Sequence, residues 1–189
     1  MNFEDDLKSA LRTLKAGGVI LYPTDTIWGL GCDSTNAEAV ENIYKIKQRS
    51  DSKSLIILID NVNRIQQYVK SVPEIAYELL EVTDKPLTII YPGGKNLAVN
   101  LLAEDGSIGI RVCFNDFGRD LISRFRKPIV STSANISGEP SPSNFSEISK
   151  QIISSVDYVV GYKQDDREKH FASPIIKIEL NGSIKIIRK

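Results

Sequence analysis

Short apolar runs interleaved with helical patterns leave this chain little choice of architecture. The runs are Val19–Tyr22 (VILY), Ser54–Asp60 (SLIILID), Pro86–Pro92 (PLTIIYP), Gly106–Val112 (GSIGIRV), Pro128–Ser131 (PIVS) and Asp157–Tyr162 (DYVVGY). Each has the length of a buried strand, and all but Ser54–Asp60 carry Gly or Pro punctuation. Between them, Leu7, Ala10, Leu11 and Leu14 recur at helical spacing behind a group of acids, and Gly17–Gly18 ends that helix. Residues 35–48 predict a second helix with a capping box, Thr35 facing Glu38. Residues 61–70, 73–82, 118–125 and 145–155 predict further helices, whereas residues 23–36 read as a polar, glycine-containing turn. In the last segment, Pro174–Lys189, alternating apolar residues flank Asn181–Gly182, which predicts a hairpin with that pair as its two-residue turn. Strands that alternate with helices and end in a hairpin predict an α/β fold with a mixed rather than purely parallel sheet.

A length of 189 residues suits a single domain over 1–189, and 41% hydrophobic with 25% charged residues is the balance of a globular chain. No apolar stretch reaches the roughly 18 residues of a membrane span, and the acidic start argues against a signal peptide. The expectation is therefore a cytoplasmic protein with no membrane association. Cys32 and Cys113 lack CxxC spacing and read as reduced, structural thiols. Equal numbers of basic and acidic side chains, 24 of each, argue against a general nucleic-acid coat. His170 is the only histidine and lies in the polar run 163–173, so a Ser/His/Asp triad or a His-rich metal site is not expected.

Three polar loops adjoin apolar runs, the second of them just before one, and loops beside strands are where α/β proteins place ligands. The first holds Thr24, Asp25 and Thr26, residues that also serve ordinary turns. The second, KIKQRSDSK, gathers Lys45, Lys47, Arg49 and Lys53. Such a cluster meets the roughly four negative charges of a triphosphate, or forms an exposed charged linker. It contains no GxxxxGK[ST]. Lys47 falls on the same helical face as Val40, Ile43 and Tyr44, an odd place for a lysine unless it snorkels. In the third loop, STSANISG, Ser133 and Asn135 are neutral hydrogen-bonding groups and Gly138 permits a sharp turn.

In order along the chain, YPTDTIWGLGCD, KIKQRSDSK, PLTIIYP, SIGIRV, STSANISG, a late serine and a C-terminal arginine resemble the motifs of the YrdC-like family. These are the threonylcarbamoyl-adenylate synthases called TsaC in bacteria. The resemblance runs from about residue 17 to 188. It implies a twisted mixed β-sheet with flanking helices around a concave basic cavity, in the short form without a further C-terminal domain. It implies a nucleotidyltransferase that joins L-threonine, bicarbonate and ATP, with Mg2+ carried by the ATP and no metal ligand from protein side chains. Partner proteins would then transfer the threonylcarbamoyl group to tRNA.

By motif position, Thr26, Arg111, Ser133 and Ser173 would hold threonine, while Lys47, Arg49, Lys53, Ser107, Asn135, Ser143 and Arg188 would hold ATP. Lys47 and Arg49 would carry the catalytic charge stabilisation. The chain departs from the family pattern at Ser54, at Leu58, which is histidine in some members, and at Ser173–Pro174, which bears on amino-acid selectivity. The alternative reading is a double-stranded-RNA-binding or ribosome-maturation module using the same basic cavity. The polar run 163–173 reads as a mobile loop placed to close over that cavity.

Overall fold

The computed structural model describes residues 2–48 and 55–189. In chain order the elements are α1 (Phe3–Lys15), β1 (Ile20–Tyr22), β2 (Gly29–Gly31), α2 (Ala37–Ile46), β3 (Ile56–Ile59), α3 (Ile65–Tyr68), α4 (Glu74–Val82) and β4 (Thr88–Tyr91). They continue with β5 (Ile108–Val112), α5 (Asp116–Phe125), β6 (Ile129–Ser133), α6 (Lys150–Ser154), β7 (Tyr158–Val159), β8 (Ile175–Ile178) and β9 (Ile184–Arg188). The strands form one sheet in the order β7-β1-β2-β6-β3-β5-β4-β8-β9. It is mixed, as the alternation predicts: β1/β7, β3/β5 and β4/β8 are parallel, and the remaining neighbours antiparallel. Among the described residues no helix is long and apolar enough to cross a membrane.

Each helix buries one apolar face. Leu7, Ala10 and Leu14 of α1 are fully buried, and Phe3 meets Phe117 of α5 edge-on at 5.5 Å between ring centres. The buried Asp6 binds α1 to the β7 region by accepting from the Tyr158 hydroxyl (2.6 Å) and from Gly161 N–H (2.9 Å). Both cysteines are buried and unbridged. Burial pushes the Cys113 thiol up to about 12 and raises that of Cys32 further. The native protein is therefore expected to withhold both thiols from an alkylating reagent at neutral pH, and to release both in denaturant.

Four local expectations need correction. The segment read as a turn contains β2, a strand hidden by its two glycines. A Cβ on Gly31 would stand 2.6 Å from the Tyr22 ring and 3.0 Å from the Val130 carbonyl, so only glycine lets β1 and β6 close on both sides. The cap of α2 is Asn36, whose Oδ1 accepts from Glu38 and Ala39 N–H, because the Asp33 carboxylate already engages Thr35 through its N–H and hydroxyl. In the hairpin, Gly182 N–H donates to Glu179 O and Glu179 N–H to Ser183 O. Leu180–Asn181 thus form the turn, and Gly182, with φ of 81°, supplies a bulge. The helix expected over 145–155 is shorter, a 3-10 turn at Phe145–Glu147 followed by α6.

Gly31→Ala should lower stability by about 1–3 kcal/mol through overpacking. Urea unfolding midpoints would show it, and an unchanged midpoint would mean that β2 has more room than its contacts indicate.

Candidate active site

Strand register brings distant residues into one row. Arg111 of β5 pairs with Leu58 on one side and Thr88 on the other; Thr88 pairs with Ile175, and Ile175 with Arg188. Beside this row lies a cavity of about 250 Å³. Its lining contains Thr26, Trp28, Arg111, Ser131, Thr132, Ser133, Ser141, Ser173 and Arg188, together with apolar groups that include Leu55 and Ile56. Thus Thr26, Arg111, Ser133, Ser173 and Arg188, all singled out in the sequence, share one wall. Trp28, Ser131, Thr132 and Ser141 were not singled out, although the two hydroxyls of Ser131 and Thr132 stand in the same polar run as Ser133.

The wall carries two guanidiniums and, among its described lining residues, no carboxylate. Burial, and after it the like charge of Arg111, pulls the Arg188 pKa below the ordinary arginine value. Arg188 is held by the Ser173 carbonyl, which accepts from its Nε (3.0 Å) and Nη2 (2.7 Å). Arg111 reaches the Ser173 hydroxyl through Nη1 (3.4 Å), and that hydroxyl also touches Thr88 Oγ1 at 2.8 Å. Behind the wall, Arg111 Nη2 lies 3.1 Å from Asp25 Oδ1 and 3.3 Å from Thr24 Oγ1.

Donor counting limits what the β1–β2 loop offers. Thr24 donates its one hydroxyl hydrogen to the Ile27 carbonyl (2.8 Å). Its two lone pairs face Thr26 N–H (3.1 Å) and Arg111 Nη2 (3.3 Å), so the 3.0 Å contact between the two hydroxyls does not fix the direction of the Thr26 hydroxyl. Thr26 Oγ1 stands on the cavity wall able to accept from an amine or hydroxyl of a ligand. The wall therefore combines cations for an anionic group with a hydroxyl acceptor beside them.

Four other candidates stand off this wall. Lys47 is 3% exposed, and its side chain turns inward rather than snorkelling. Its Nζ donates to the carbonyls of Ser133 (2.7 Å) and Asn135 (2.8 Å), while its own carbonyl accepts from Ser137 N–H (3.0 Å). This lysine braces the loop after β6. The Asn135 amide closes the same loop by donating to the Ile136 and Glu139 carbonyls. Ser107 is buried where its N–H meets Asp105, and Ser143 is bonded through its backbone to Glu147 and His170. Arg49 and Lys53 lie outside the described residues. From the run 163–173, Ala172 and Ser173 reach the wall, while His170 stands beside Asp166 at 3.1 Å.

Three comparisons bear on this arrangement. A family model, Sua5_yciO_yrdC, described as telomere recombination, matches residues 12–189. A threonylcarbamoyl-AMP synthase of Pseudoalteromonas translucida is 34% identical over 187 residues, covering 97% of this chain and 98% of the relative. In fold, the chain matches E. coli YciO with a TM-score of 0.82 at 24% identity, over 100% of this chain and 90% of that one. It matches P. abyssi Sua5, a structure complexed with L-threonine, with a TM-score of 0.82 at 23% identity, over 94% of this chain and 52% of that one.

Lys47→Met should cost about 3 kcal/mol of stability without any ligand present, because it leaves one buried and one part-buried carbonyl without their charged donor. Denaturant titration of the unliganded protein would show the loss. Wild-type stability would return Lys47 to a purely ligand-directed role.

Proposed function

The chain belongs to the Sua5/YciO/YrdC family, and on that premise we propose that it is a threonylcarbamoyl-AMP synthase acting at this cavity. Its substrates are L-threonine, bicarbonate and ATP, and its products threonylcarbamoyl-adenylate and pyrophosphate. The observation that carries this reading is the wall itself: two guanidiniums and a rim of hydroxyls enclosing a volume of amino-acid size. The amine of threonine forms a bond to the carbon of bicarbonate as a C–O bond breaks and water leaves, giving a carbamate. A carbamate oxygen then forms a bond to the α-phosphorus of ATP as the bond to pyrophosphate breaks. No protein nucleophile is required, so the chain acts by positioning its reactants and offsetting charge.

Arg111 is suited to the threonine carboxylate, since a guanidinium fork matches a planar carboxylate. Thr26 Oγ1 is suited to the substrate amine or hydroxyl as an acceptor. Ser133, held at the wall by the Lys47 brace on its carbonyl, is suited to the amino acid. Among the described lining residues the wall offers hydroxyls and guanidiniums, and in this proposal Mg2+ arrives on the phosphates of ATP. Lys47, Arg49, Lys53, Ser107, Asn135, Ser143 and Arg188 remain the proposed ATP set. Of these, Lys47 and Asn135 would act by shaping the loop after β6. We place the product in tRNA modification, passed on by partner proteins. A cavity of this size and a chain of zero formal charge favour a small metabolite over duplex RNA, whose binding needs many phosphates met at once.

Purified protein given ATP and magnesium should release pyrophosphate only when threonine and bicarbonate are both present. Ser133→Ala should lower kcat/KM for threonine about tenfold while leaving the unfolding midpoint unchanged. Full activity in that variant would remove Ser133 from the site.

A further inference from the structure

Asp25 sits behind the cavity wall and has no part in the assignments above; its two oxygens face Arg111 and the Phe114 N–H. One carboxylate oxygen lies 3.1 Å from Arg111 Nη2 in an ion pair whose partners are 5% and 6% exposed. The other accepts from Phe114 N–H at 3.2 Å. The turn that carries Asp25 is itself locked. Thr24 Oγ1 accepts from Thr26 N–H and donates to Ile27 O, and Asn115 Nδ2 donates to Pro23 O at 3.1 Å. Asn115 also caps α5 through Gly118 N–H, so a helix terminus fixes the turn and the turn fixes the carboxylate.

An arginine side chain must give up rotamer freedom before its fork can face a ligand in one orientation. Asp25 and Thr24 hold one end of the guanidinium, and Ser173 holds the other. The charge balance is equally pointed. Among the described residues, two guanidiniums share the wall with this one carboxylate behind them, so Asp25 offsets part of their charge and leaves the wall cationic.

We propose that Asp25 is a positioning residue of the amino-acid site: by fixing the plane of Arg111 and offsetting part of the guanidinium charge, it sets the cavity to recognise a monoanionic carboxylate. This deepens the reading given under the proposed function and rests on it. Asp25 does not touch substrate. It acts through Arg111, and it links carboxylate recognition to the β5–α5 turn through Phe114.

The test compares L-threonine with L-threoninamide, which keeps the amine and the side chain but loses the carboxylate charge, in pyrophosphate release by wild-type protein and by Asp25→Asn. The variant preserves shape and removes charge. We expect the KM for threonine to rise at least tenfold, the KM for ATP to stay within about twofold, and the preference for threonine over its amide to fall at least tenfold. A purely structural role would depress both amino-acid substrates and ATP alike, and that result, or an unchanged preference, overturns the proposal. Should Asp25→Asn not fold, Asp25→Glu serves instead. It keeps the charge but displaces it by one methylene, so the same loss of preference is expected and wild-type preference would overturn the positioning claim. If the wild-type protein releases no pyrophosphate in response to threonine, the synthase reading fails and the proposal falls with it; normal wild-type turnover with an unchanged preference in the variants defeats the proposal alone.

Discussion

The guanidinium of Arg111 lies inside the β-sheet with partners at both terminal nitrogens, while its buried Nε meets no acceptor among the described residues. Its neighbours along β5, Ile108 and Ile110, are buried apolar side chains. Removing one partner from a buried ion pair typically costs about 3–5 kcal/mol, so the structure around such a pair is strongly constrained. The β1–β2 loop supplies Asp25 and Thr24, and the segment before β8 supplies Ser173. Ser173 in turn holds Arg188 at the end of β9. Four stretches of chain, far apart in sequence, meet because this cation requires them.

The same edge shows how a fold without a reactive nucleophile can still support chemistry. The β6 strand delivers Ser131, Thr132 and Ser133 to the wall, and the loop beyond it is held by Lys47 from α2. Lysine at the end of α2 thereby joins two layers of the fold, sheet and helix, at the place where the cavity needs a rigid rim. Rigid hydroxyls and fixed cations are what a condensation driven by proximity and charge compensation needs.

Much of this was legible in the sequence, for identifiable reasons. Apolar runs, most of them bounded by Pro or Gly, mark strands because burial and turn chemistry act locally, so β1, β3, β4, β5 and β6 stand close to where pattern places them. The motif resemblance brings Thr26, Arg111, Ser133, Ser173 and Arg188 forward, and they share one wall. What escaped depends on neighbours distant in sequence. β2 is invisible because its glycines answer to Tyr22 and Val130 rather than to any local preference. The cap of α2 moves to Asn36 because Asp33 takes Thr35 first. Lys47 is recognisable as anomalous from helical periodicity, but only the fold reveals that carbonyls receive its charge. Asp25 reads as turn chemistry until the partner 86 residues later is in place beside it.

The central claim is that this cavity joins threonine, a one-carbon unit and the adenylyl group of ATP. It is tested most directly by incubating the protein with ATP, magnesium, L-threonine and isotopically labelled bicarbonate, then analysing the quenched mixture by mass spectrometry. The account predicts an adenylate whose mass includes threonine and the labelled carbon, formed alongside pyrophosphate. An adenylate without the label, or pyrophosphate formed with no adenylate of threonine, would contradict it.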